Sequence, residues 1–171
     1  MMSEDASHLR IVFDCMVYLQ AVFSEVGPAS TLLHLVDRDE LVLFVSDDIL
    51  EEVQTVLSRP KIRQKNPEIS DERVEAFIQR IREKATVVND IPQHFTYLRD
   101  PKDEKYINLA VEINAHYLIS RDRDLLDLMT GYTDECKDFR RRFRPLRVID
   151  PVELLNIVLP RDPTLSLPSS L

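Results

Sequence analysis

Residues 98–128 read LRDPKDEKYINLAVEINAHYLISRDRDLLDL, and their reading decides the fold. Asp100, Pro101 and Asp103 form a helix start: an acid that can cap, a proline at the first helical position and a second acid in the first turn. Tyr106, Leu109, Ala110 and Ile113 then recur at helical spacing to about Asn114. Tyr117, Leu118 and Ile119 are apolar without alternation, which is the pattern of a strand covered on both faces. The chain turns polar from Ser120 to Asp124 and continues as a short helix. Helix, fully buried strand and helix in one stretch make a unit of a parallel α/β sheet.

The flanking sequence repeats this unit. Ile11 to Phe13 is a short apolar strand halted by Asp14, and Leu41 to Val45 is a second continuous apolar run. Thr86 to Val88 and Val148-Ile149 read as further short strands. Between them, residues 16–26 and 29–38 are helical, broken at Gly27-Pro28. Ser46 caps a helix to about Ser58 that Pro60 stops, and Ser70 caps another to about Lys84. Residues 61–67 read as a basic connector, residues 132–147 as a basic loop, and Pro151 begins a last helix. The expected architecture is a three-layer α/β/α sandwich around a central parallel sheet, one domain over residues 10–159. A flexible N-terminus (1–9) and a disordered, proline- and serine-rich tail (160–171) flank it.

Composition narrows the chemistry. The chain has two glycines, Gly27 and Gly131, so neither a Walker A loop nor a dinucleotide fingerprint can be built. Cys15 and Cys136 are too few for a disulfide framework or a thiolate zinc site, and the four histidines lack metal-ligand spacing. A formal net charge of -8 disfavours a protein that coats nucleic acid by bulk charge, but not one that handles phosphates through a cation. No apolar run is long enough to span a bilayer, and the first residues lack the pattern of a signal peptide, so the expected setting is the reducing cytoplasm.

The acids carry the functional signal. In open parallel sheets, sites form at the carboxyl ends of the strands. Asp14 ends the first strand, Ser46 to Glu52 follow the second, and Asp122 and Asp124 follow the third. Asp103 and Glu104 open a crossover helix that starts at the same edge. Taking Ile49, Leu50, Val53, Val56 and Leu57 as a buried stripe, Glu52 falls about 100° from its centre and Glu51 about 160°. Glu52 therefore borders the packed face and Glu51 points to solvent. Clustered carboxylates repel one another unless a cation neutralises them, and oxygen-only ligands suit Mg²⁺ or Mn²⁺. Asp47, Asp48 and Asp100 read as helix-start charges. Ser120 is either a plain cap or a donor to the neighbouring acids.

The segments RIVFDCMVY, LFVSDDILEEVQTVLSRPKI and the opening stretch together resemble the motifs of PIN-domain ribonucleases, the branch related to VapC toxins of toxin–antitoxin pairs. The resemblance covers about residues 10–155 and rests on the order and spacing of the motifs. It implies a metal-dependent nuclease whose four acids are Asp14, Glu52, Glu104 (with Asp103 as an adjacent substitute) and Asp122, supported by Asp124. It implies Mg²⁺ or Mn²⁺, products with a 5′-phosphate and a 3′-hydroxyl, a small antitoxin protein as partner and a homodimer. Met16 stands where the family usually has a small polar residue, and Glu104 where it usually has Asp.

An acidic nuclease still has to attract RNA. Arg59, Lys61, Arg63 and Lys65 form one basic segment; Lys137, Arg140, Arg141, Arg142 and Arg144 form another. Phe139 and Phe143 interleave the second and suit either base stacking or anchorage of that segment. The leading expectation is a Mg²⁺- or Mn²⁺-dependent endoribonuclease of single-stranded RNA, the toxin of a toxin–antitoxin pair. The alternatives are a PIN-fold binding module with a weakened site and a metal-dependent phosphatase.

Overall fold

The computed structural model describes residues 9–159; the expected flexible N-terminus, apart from Leu9, and the expected tail lie outside them. Five strands form one parallel sheet: β1 (Arg10–Phe13), β2 (Val42–Val45), β3 (Thr86–Val87), β4 (Tyr117–Ile119) and β5 (Arg147–Ile149), in the order β3-β2-β1-β4-β5. β1 is central, so Ile11, Val12 and Phe13 are fully buried. Its register sets Ile11 beside Leu43 and Tyr117, and Val12 beside Phe44 and Leu118. The central strand lacks alternation because helices cover both faces of the sheet, as its apolar run requires.

The helices are α1 (Cys15–Phe23), α2 (Pro28–Asp37), α3 (Asp47–Leu57), α4 (Pro60–Lys65), α5 (Asp71–Lys84), α6 (Glu104–Glu112), α7 (Arg123–Thr130), α8 (Asp134–Phe143) and α9 (Pro151–Val158). α1 packs on α2 and α3, α2 on α9, α3 on α5 and α6, and α7 on α8. The capping residues do what their chemistry dictates: Asp14, Ser46, Ser70, Asp122, Thr133 and Asp150 each accept from a backbone N–H in the first turn of the helix they open.

Two basic segments are helical rather than loop-like. Pro60 ends α3 and also starts α4, because a proline at the first position costs no hydrogen bond. Residues 134–143 form α8, because Cys136, Phe139 and Phe143 fall on one face beneath the charges. Phe139 is fully buried, its ring 5.4 Å from Phe95 and 5.4 Å from Phe143. It anchors the helix to the core and is closed to any base.

Candidate metal centre

The acids gather where the strands end. Asp14 follows β1 directly and caps α1, its Oδ1 accepting from the Val17 N–H at 3.1 Å. Ser120 follows the neighbouring β4, and its hydroxyl donates to Asp14 Oδ2. The same Ser120 oxygen accepts from the Asp122 N–H at 2.9 Å. One hydroxyl thus ties the ends of β1 and β4 together, and Ser120 serves as the donor to the acids rather than as a helix cap. Asp122 caps α7 through the Asp124 N–H at 2.9 Å.

A third segment closes the group. Residues 101–103 form a single 3₁₀ turn before α6, with Asp100 capping it through the Lys102 N–H at 3.1 Å. The Asp103 N–H donates to the Asp100 carbonyl at 3.0 Å, closing a tight turn, and the two carboxylates fall in the same group. One carboxylate oxygen each from Asp100, Asp103, Asp122 and Asp124 lie within 4.8 Å of one another. Asp103 is buried, and its Oδ2 has no hydrogen-bond partner among the described residues.

Burial pushes the Asp103 carboxyl up to about 7, reinforced by the charges of Asp122, Asp100, Asp14 and Asp124. Asp14 is only 3% exposed, and burial raises its carboxyl to about 6. The hydrogen bonds from Ser120 and Val17 oppose that rise, and the charges of Asp122 and Glu52 add to it. A cation among these carboxyls would favour their charged forms and offset their mutual repulsion. The donor set is oxygen only, which fits a hard divalent cation.

The remaining expected site residues divide. Glu52, on α3, lies near enough to Asp14 to raise its pKa, and it pairs with Lys105 of α6. Asp124 pairs with Arg99 at 2.7 Å, and Arg99 also reaches Asp127 at 3.0 Å. Glu104 is turned the other way: its carboxylate accepts from the Tyr97 N–H and from Gln93 Nε2, both at 2.9 Å. It clamps the segment before the 3₁₀ turn, and Asp103 occupies the place beside Asp122. Burial, with the charges of Glu52 and Asp14, pushes the Cys15 thiol up to about 12, which keeps it in the neutral thiol form.

Sequence reasoning takes Asp100 as a cap alone and passes over Lys105 and Arg99. The three-residue spacing of Asp100 and Asp103 is the available signal for the first; no local pattern announces the other two.

Four of the nine cations in the two basic segments are engaged within the fold. Arg63 donates to the carbonyls of Leu57 and Ile69 and to Asp71, and Arg140 to the carbonyls of Leu128 and Gly131. Arg141 and Arg142 both reach Asp138, and Arg142 also donates to the His94 carbonyl. Arg59 and Lys61 are exposed, with no side-chain partner among the described residues. Arg59 lies close enough to act on the Cys15 thiol, beside Asp14.

A cluster of carboxylates at the carboxyl edge of a parallel sheet defines an α/β protein equipped for a hard divalent cation. The chain belongs to the PIN domain family, whose sequence model matches residues 10–124 and whose members are generally nucleases. It is 26% identical over 147 residues to an uncharacterized protein of Methanocaldococcus jannaschii, covering 86% of this chain and 90% of that one. Its fold is similar to the crystal structure of VapBC2 from Rickettsia felis bound to a DNA fragment from their promoter. That match has a TM-score of 0.51 and 12% identity, and covers 83% of this chain and 98% of the other. Among the described residues, no helix is long and apolar enough to cross a membrane.

Proposed function

We propose that the protein is a Mg²⁺- or Mn²⁺-dependent endoribonuclease of single-stranded RNA, and that it acts as the toxin of a toxin–antitoxin pair. The observation that carries the nuclease reading is the convergence of Asp100, Asp103, Asp122 and Asp124, with the unpartnered Asp103 oxygen among them. These four, with Asp14, would hold the ion. A divalent ion held there would supply Lewis-acid activation of water and neutralise charge on the scissile phosphate.

The chain's own groups prepare that site. Ser120 and the Val17 N–H fix the Asp14 carboxylate, and Ser120 also fixes the turn that carries Asp122. Glu52, held by Lys105, would accept a hydrogen bond from the attacking water. Arg59 and Lys61 are available for phosphate contacts, which orient the strand without reading its sequence.

Labelled single-stranded RNA incubated with Mg²⁺, Mn²⁺ or chelator tests the reading. Cleavage with either ion, lost in chelator and in Asp122→Asn, supports it. Ion binding without cleavage would favour the binding module, for which the half-exposed Met16 beside Asp14 speaks. The toxin reading follows the family resemblance and predicts that a small protein from an adjacent gene suppresses both the cleavage and any growth arrest. A homodimer belongs to the same reading, and a monomer mass at micromolar concentration would reject it.

A further inference from the structure

At the opposite edge of the sheet, where β1, β4 and β5 begin, lies a cleft of 470 Å³. Arg10, Arg142, Arg144, Arg147 and His116 line it, and no acid does among the described residues. In a chain of net charge -8, four guanidinium groups around one cleft run against the overall balance.

The cleft is held in shape by its own contacts. Arg10 donates Nε and Nη2 to the Asn114 carbonyl at 3.0 and 2.8 Å, which fixes its guanidinium plane. The Arg10 N–H donates to His116 Nδ1 at 3.0 Å, so the imidazole's other nitrogen carries the proton as a donor. Arg142 lies over the Phe143 ring at 4.8 Å. Arg142 and Arg147 pair with Asp138 and Glu153, neither of which lines the cleft. Arg144 is exposed and has no ion pair or side-chain hydrogen bond among the described residues. Asp138 and Glu153 offset part of the charge, while Arg10 and Arg144 have no carboxylate partner among the described residues, so an anion in the cleft meets two unpaired guanidinium groups.

We propose that this cleft binds a nucleoside monophosphate group, its phosphate on Arg144 and the neighbouring arginines and its base against the stacked Arg142–Phe143 pair. The cleft's volume lies within the range of small-molecule sites, roughly 300–1,000 Å³. The group belongs either to a free nucleotide or to an RNA chain. Arg10 and Asp14 are four strand residues apart, about 13 Å, so the ligand does not touch the acids and its binding does not depend on the nuclease reading.

Calorimetry on the full chain in chelator tests this with AMP, inorganic phosphate and a short oligoadenylate. AMP is expected to bind more tightly than phosphate, and Arg144→Gln to weaken it about tenfold. Lys84→Gln, an equal charge change on exposed α5, is expected to leave it unchanged, as is Asp122→Asn. Competition between oligoadenylate and AMP assigns the site to RNA; binding of AMP alone assigns it to a free nucleotide. No AMP binding at about 5 mM, well above the affinities of useful sites, overturns the proposal. Equal loss in Arg144→Gln and Lys84→Gln, or loss in Asp122→Asn, also overturns it.

Discussion

Replacing Asp14 by Asn should make the metal-free protein more stable at neutral pH and less stable in acid. The Asp14 carboxyl has a folded pKa of about 6 against an ordinary 3.8, so the folded state holds its proton more tightly than the unfolded chain does. Its contribution favours folding as pH falls towards 3.8 and is lost as pH rises through 6. Across that window the loss amounts to about 3 kcal/mol, from roughly 1.4 kcal/mol per pKa unit. Asn carries no charge, so the variant avoids this loss. It also weakens the hydrogen bonds from Ser120 and Val17, at a cost of about 1 kcal/mol. The variant should therefore be about 2 kcal/mol more stable near pH 7.5 and about 1 kcal/mol less stable near pH 4. Denaturant unfolding in chelator at several pH values measures the difference. Mn²⁺ at a hundredfold excess over Kd should stabilise the wild type by about 2.7 kcal/mol, which at neutral pH reverses the order and leaves it about 0.7 kcal/mol ahead of a variant that no longer binds the ion. Parallel stability profiles for the two proteins would refute the argument, because they would mean that Asp14 is not a costly buried charge.

Asp103→Asn and Asp122→Asn should each weaken Mn²⁺ binding by about tenfold or more, read by calorimetry, with the fold intact by circular dichroism. Ser120→Ala removes both the donor to Asp14 and the acceptor for the Asp122 N–H, and should cost about 1–3 kcal/mol in unfolding experiments. Lys105→Met removes a positive charge beside the acids and should tighten Mn²⁺ binding severalfold, at a lower Tm because Glu52 loses its partner. Asp103, raised to about 7, and Asp14 must lose protons when the ion binds, so Mn²⁺ affinity should fall steadily from about pH 8 to about pH 5.

The sheet is legible in the sequence because its central strands are short apolar runs ended by a polar residue, as at Phe13-Asp14 and Ile119-Ser120. The acids are legible for the same reason: a strand's end fixes where the next side chain emerges. α8 is not, because its dense charges mask an apolar face of only a few residues, Cys136, Phe139 and Phe143. The exchange of Glu104 for Asp103 depends on the 3₁₀ turn, whose tighter winding shifts every side chain relative to an α-helical start. The engagement of Arg63 and Arg140 is invisible because most of their partners are backbone carbonyls, which carry no residue-specific signal.

The hydroxyl of Ser120 joins two strands that are adjacent in space and distant in the chain. During synthesis β1 and α1 emerge early, but Asp14 then has neither its Ser120 donor nor its acidic neighbours. The cluster comes into being only when β4 slots against β1 and the residues to Asp124 are in place. On the nuclease reading, a nascent chain is therefore harmless to the RNA that encodes it until the sheet has assembled, and the fold's own topology sets the moment at which the acids become a site.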